Sequence, residues 1–262
     1  MKINVNDLRI ICLIFLLCFT VSAKATEPPR CYYQLKIYHY KTKSQEDKLD
    51  TYLKNAYIPA SGRASAWEIG VFKTLEQDTT DRRIYVLSTF RRYGLLQKID
   101  KRLMKDQQYL IDAKDFLDAT YNDAPYTRFE TVILRAFPRW PISAKPELTA
   151  NKIDRIYELR SYESPTQKYH LSKVKMFNQG GETLLFSRLK FNAIFYADVL
   201  IGSHMPNLMY MTAFENKADR DKHWDTFSND PEWKTLSAMP EYQHNVSKAE
   251  IIFLHPTEYS QL

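Results

Sequence analysis

Three side chains on the segment Ile156–Tyr162 (IYELRSY) have the chemistry to hold a ligand or move a proton: Glu158, Arg160 and Tyr162. An acid, a base and a phenol at every second residue fall on one face of a strand, because successive strand side chains point to opposite faces. A carboxylate of this kind acts as a general base when desolvation raises its pKa, whereas a neighbouring guanidinium keeps it ionised and turns the pair into a ligand clamp. Earlier in the chain, YYQLKIY places Gln34, Lys36 and Tyr38 in the same alternation. The residues alone leave three readings of these rows open: a wet sheet face, a structural ion pair, or the lining of a cavity.

Other chemistry is weakly marked. The six histidines, His39, His170, His204, His223, His244 and His255, show no metal-binding spacing. His204, in the loop GSHMPN, is the histidine best placed for a cavity mouth. No G-x-S-x-G or phosphate-cradling glycine loop occurs, and six glycines are few for one. Cys31 begins a strand with no base beside it. No cofactor is therefore expected.

The elements that must position the two rows repeat. YQLKIY at Tyr33 and YELRSY at Tyr157 lie 157 − 33 = 124 residues apart. VLSTF ending at Phe90 and YMTAF ending at Phe214 give 214 − 90 = 124 again. Two matches at one offset and in one order predict a tandem duplication. Each copy reads as strand, helix, two strands, helix, strand. In the first copy the strands fall near 32–40, 67–73, 84–90 and 128–137. Ser44 with Asp47 opens its first helix, and a long helical region covers about 94–120. In the second copy the strands fall near 156–162, 190–199, 208–214 and 246–254. Ser164-Pro165 with Gln167 opens a helix that Gly180-Gly181 stops, and Trp224 and Phe227 read as the core side of a later one. The predicted organisation is residues 1–25 as a signal peptide, a first repeat at 31–137, a Pro-rich linker at 138–152 and a second repeat at 153–256.

The expected fold class is α+β: two tandem ferredoxin-like (βαββαβ) repeats with their sheets face to face. In that arrangement Tyr33, Leu35, Ile37, Tyr157 and Leu159 would face the helices. Gln34, Lys36, Tyr38, Glu158, Arg160 and Tyr162 would point between the sheets, lining a cavity with His204.

RIYELRSY resembles the NIPSNAP family, as do L-x-Y-M-x-A-F at Leu208–Phe214 and D-P-E-W-K at Asp230–Lys234. The resemblance runs from about Ile153 to Leu254 and is faint in the first half. It implies the dimeric α+β barrel fold and little chemistry, since the family has no settled activity. Animal members are linked to mitochondria and vesicle trafficking. Those partners do not transfer, because this chain carries an export signal of its own.

That signal is the N-terminal stretch, where Lys2 and Arg9 precede an apolar run from Ile10 to Val21 of 21 − 10 + 1 = 12 residues. Such a run is shorter than the ~20 a membrane span needs, and Ala23-Lys24-Ala25 supplies small residues for cleavage. Export to the periplasm or the medium is expected, with no stable membrane insertion after cleavage. Cys12 and Cys18 would leave with the signal, so Cys31 has no partner for an internal disulfide. The formal charge of +6 falls by +2 on removal of Lys2, Arg9 and Lys24 against Asp7. The remaining basic residues lie scattered among acids, which excludes a nucleic-acid surface. Three functions remain: a module binding a small organic molecule, a cofactor-free oxygenase or isomerase, and a structural homo-oligomer.

Overall fold

The computed structural model describes residues 29–75 and 80–262. The expected signal peptide, with Cys12 and Cys18, lies outside the described residues, as do residues 76–79 of the first hairpin loop. The first half carries β1 (Tyr32–Tyr40), α1 (Lys43–Tyr52), α2 (Ile58–Arg63), β2 (Glu68–Thr74) and β3 (Arg82–Phe90). Four short helices follow, α3 (Tyr93–Leu96), α4 (Ile99–Leu103), α5 (Gln107–Asp112) and α6 (Lys114–Leu117), and then β4 (Arg128–Ala136). The second half carries β5 (Ile156–Glu163), α7 (Gln167–Asn178), α8 (Glu182–Arg188), β6 (Asn192–Ile201) and β7 (Asn207–Phe214). It closes with α9 (Lys217–Asn229), α10 (Pro231–Ala238) and β8 (Lys248–Pro256). Among the described residues no helix is long and apolar enough to cross a membrane.

The eight strands form one closed barrel in the order β1-β3-β2-β8-β5-β7-β6-β4, every pairing antiparallel. The two sheets meet along their edges, β2 against β8 and β4 against β6, so closure removes the exposed edges that two separate sheets would carry. An eight-strand barrel has an interior just wide enough to be filled by side chains. Tyr33, Leu35, Tyr157 and Leu159 fill it, with Phe72, Leu87, Leu134, Phe195 and Met211. Rings from the two halves touch inside, Tyr33 with Phe195 at 4.9 Å and Phe72 with Tyr157 at 4.8 Å between centroids.

Closure reverses the expected facing of the strands. The apolar row points into the barrel, where water is excluded from all sides. Glu158, Arg160 and Tyr162, with Gln34, Lys36 and Tyr38, point outward beneath the helices. The interior is narrow and is filled mostly by apolar side chains and by the rings of Tyr33 and Tyr157. Outside, helices can bring hydrogen-bonding partners of their own.

Some helix boundaries also differ from expectation. Thr42, not Ser44, caps α1, with Gln45 reaching back to complete the capping box. Thr166 is the cap residue of α7, and the Ser164 hydroxyl instead donates to the Asn245 carbonyl at 2.7 Å. The expected long helix at about 94–120 is four short pieces, and α8 lies in a stretch for which no helix was expected.

Candidate functional site

The outward row of β5 lies under α7, α8 and α9, each set by its own local signals. In α9, the Asn216 side chain accepts from the Asp219 backbone N–H at 3.0 Å, and Asp219 in turn accepts from the Glu215 N–H at 3.1 Å. This reciprocal cap fixes the phase of the helix, so Arg220 and Trp224, one turn apart, face the sheet. Gly181, at φ 89°, makes the left-handed turn that starts α8 at Glu182. Asp230 caps α10 through the Glu232 and Trp233 N–H groups, with Pro231 at the first helical position, and this sets Trp233 over the pocket.

Glu158 is the hub. It is fully buried and takes four donors: Arg160 Nε at 2.5 Å, Arg220 Nε at 2.7 Å and Nη2 at 3.0 Å, and Trp224 Nε1 at 2.8 Å. The Arg160 guanidinium lies 3.6 Å from the Trp224 ring centroid, a cation–π stack, and donates to the Tyr162 hydroxyl at 2.9 Å. Tyr162 and Tyr210 share a hydrogen bond at 2.9 Å. Deeper in, Lys173 pairs with Glu182 at 2.9 Å, both buried, and its ammonium lies 4.8 Å from the Phe177 ring centroid.

These groups enclose a pocket of 370 Å³ between sheet and helices, walled by Trp224, Phe227 and Trp233. Burial works against the charge of Arg160, but Tyr210, Tyr162 and Glu158 outweigh it and hold the guanidinium protonated. Arg220 behaves the same way through its bond to Glu158. Burial raises the Glu182 carboxyl, with Lys173 opposing, and it pushes the Tyr210 phenol well up. Arg160, Lys173 and Arg220 stand against Glu158, Glu182 and Asp221, which accepts from Arg220 Nη1 at 2.9 Å, so the formal balance is 3 − 3 = 0. The Glu158 carboxylate is saturated with donors.

Of the expected cavity residues, Arg160 and Tyr162 line this pocket and Glu158 holds it together. Gln34, Lys36 and Tyr38 lie under the helices of the other half. His204 stands at one mouth of the barrel, beside a separate cavity of 220 Å³. Sequence reasoning missed Lys173, Glu182, Arg220 and Trp233; Trp224, read as core, packs on Phe186, Phe191 and Phe227 and also donates to Glu158. The signal was the i, i+4 pair Arg220–Trp224, an arginine one turn from a tryptophan on the core side of its helix. A larger groove of 840 Å³ runs along α1 and α6, lined by five aspartates. Both open to solvent, and the smaller pocket is the stronger candidate because its charges are buried and mutually held. Among the described residues no group of three or more His, Cys, Asp or Glu is placed to hold a metal.

Residues 157–261 match the NIPSNAP family model. The NIPSNAP-matching segment spans β5 to β8 and contains every residue lining the sheet–helix pocket, while the first half of the barrel lies outside the match. A NIPSNAP family protein from Agrobacterium tumefaciens is 23% identical over 41% of this chain and 98% of that chain, with a TM-score of 0.37. Whole-chain likeness runs to other structures. A "putative monooxygenase" from Fusobacterium nucleatum has a TM-score of 0.60 at 8% identity, covering 87% of this chain and 92% of that chain. A second "putative monooxygenase", from Lactobacillus acidophilus, gives 0.54 at 14% identity, covering 87% and 94%. These two likenesses show a shared fold. No curated protein matches the chain.

Proposed function

We propose that the chain is a small-molecule-binding module that takes a planar aromatic carboxylate in the sheet–helix pocket of its second half. The observation that carries this reading is Arg160, buried, stacked on Trp224 and held protonated beside Lys173 and Arg220 in a pocket with aromatic walls. A planar guanidinium recognises carboxylate geometry, and the rings supply contact area for a flat ligand. Calorimetric titration with benzoate, benzyl alcohol and benzylamine tests it. Benzoate binding, weakened roughly tenfold or more in Trp233→Leu, supports the reading, since one charge-assisted contact or buried ring contributes about 1.5–3 kcal/mol. Equal affinity for the three probes, or none for benzoate, removes it.

A second reading comes from the names of the two fold neighbours: cofactor-free oxygenation of an aromatic substrate in the same pocket. It rests on fold analogy. Oxygen uptake on mixing the protein with a phenolic aromatic substrate, abolished in Arg160→Lys, separates it from simple binding.

We also read the halves as tandem ferredoxin-like repeats. The shared offset supports this: Gln34 pairs with Ser88 and Glu158 with Thr212, each 124 residues on. Export rests on the sequence of residues 1–25. N-terminal sequencing of the protein from the periplasm or culture medium tests it, and a start at Met1 would oppose it.

A further inference from the structure

The barrel interior changes character along its length. Strand register puts Tyr157, Leu159, Ser161 and Glu163 on the inner face of β5, opposite Leu254, Ile252, Glu250 and Lys248 on β8. The first members of each series are apolar and fill the barrel, while the last are polar and ring one mouth. There a 220 Å³ cavity remains, floored by Ile37, Val132, Leu159, Met209 and Ile252. That is the liquid volume of roughly seven waters at about 30 Å³ each, and smaller than the roughly 300–1,000 Å³ of drug-sized sites.

The charges at this mouth are unevenly matched. Arg83 is taken by Asp81 at 2.7 Å and Lys248 by Glu163 at 3.3 Å. His39 lies between Asp81 at 2.7 Å and Glu130 at 3.0 Å. His204 has Glu163 at 3.4 Å. Glu250 lines the cavity half-buried and, among the described residues, has no cation within ion-pair distance (4.0 Å). On the far side of β5, on β7, Asn207 lines the same cavity at 3% exposure, and its Nδ2 donates to the Ser161 hydroxyl at 2.9 Å. Asn207 Oδ1 is buried and, among the described residues, has no hydrogen-bond partner. A buried acceptor left without a donor costs about 1–3 kcal/mol. The unmet groups of this cavity are thus acceptors, and its cations are already engaged.

We infer that the barrel mouth is a second binding site, independent of the sheet–helix pocket, for a small alkyl ammonium. The ammonium donates to the Glu250 carboxylate and Asn207 Oδ1, and its short chain lies on the apolar floor.

The probe is n-butylamine, protonated at neutral pH, titrated calorimetrically into the full chain, with n-butanol and butyrate as matched controls. Butylamine is expected to bind at least tenfold more tightly than either control. Glu250→Gln, at a half-buried strand position where the fold tolerates it, should weaken butylamine about tenfold or more and leave the thermal unfolding midpoint near that of the parent. Trp233→Leu should weaken benzoate and leave butylamine unchanged, which keeps the two sites distinguishable. The inference is overturned if butylamine gives only heat of dilution, if the controls bind equally, or if Glu250→Gln binds as the parent does.

Discussion

The outward rows of β1 and β5 occupy matching places in the two halves and meet opposite fates. In the second half, Glu158 collects four donors and anchors a charged, aromatic-walled pocket. In the first half, Gln34 stands where Glu158 would and, among the described residues, its Oε1 has no hydrogen-bond partner. Lys36 reaches the exposed Asp100 at 3.5 Å and lies 5.5 Å from the Tyr57 ring centroid, and Tyr38 packs among Phe116, Tyr126 and Phe129. The strands are alike, so the difference lies in the covering helices. At the 124-residue offset, Arg220 corresponds to Leu96 and Trp224 to Asp100. A strand supplies one half of a buried polar site, and the helix laid over it decides whether the site is completed or filled with apolar rings.

The sharpest way to break this comparison is to remove the two hubs. Glu158→Ala leaves Arg160 buried without a counter-charge and Arg220 with only the half-exposed Asp221, and should cost about 3–5 kcal/mol of stability. Gln34→Ala should cost no more than about 1 kcal/mol, because Oε1 has no bond to lose. Urea unfolding of both variants decides it, and equal losses would mean the halves do not differ in kind. Next comes Lys173 with Glu182. Lys173→Met alone should cost a similar ~3–5 kcal/mol, and the double variant Lys173→Met/Glu182→Leu should recover most of it, since replacing both members of a buried pair by apolar groups is often neutral.

A smaller contrast appears against pH. Burial pushes the Glu46 carboxyl of the first half up, but Lys73 and Lys43 outweigh burial and hold it below its ordinary value. Its contribution is present above the unfolded value of about 4.3 and is lost as pH falls through the lower folded value. Glu182 is raised by burial. Its contribution has the other sign: full below about 4.3 and lost as pH rises through the raised folded value. Unfolding free energies from about pH 3 to 7 should therefore lose an acid-side slope in Glu46→Gln and a neutral-side decline in Glu182→Gln. The smallest effect is expected at the exposed helix pairs Lys43–Asp47 and Lys217–Asp221. Lys→Ala at either position should move stability by no more than about 0.5 kcal/mol in both halves.

Much of the sheet was legible. Period-two alternation located β1 and β5 almost to the residue, and the repeated offset matched the strand pairing of both halves. The facing of the rows was not legible, because alternation says only that two faces differ. Which face turns inward depends on closure between strands nearly a full chain apart. The pocket was half legible for a related reason. Glu158, Arg160 and Tyr162 announce themselves at strand spacing, whereas Lys173 sits beside Met176 and Phe177 on a helix and reads as a solvated lysine until its stem and ammonium are seen buried. The four short helices at Tyr93–Leu117 share one apolar stripe, which reads as a single long helix. Their breaks come at capping residues such as Asp106, which accepts from the Tyr109 N–H at 3.0 Å.

The β2–β8 edge has a bearing on how the chain folds. Only Phe72, Lys73 and Thr74 pair there with β8, and the rest of β2 is held by the segment after it. The Val71 N–H donates to the Ser260 hydroxyl across 189 residues, the Ile69 N–H donates to Gln261 Oε1 across 192, and Leu262 fills the barrel beside Gly70. Pairings of such sequence separation carry the largest loop-closure cost and form after local ones. Ring closure is thus expected as the last and slowest step of assembly, with the first-half sheet formed earlier and its β2 edge exposed in the interval. Gln261→Ala and Leu262→Ala should raise the unfolding rate more than they lower the folding rate, a partition that stopped-flow urea chevrons would read directly.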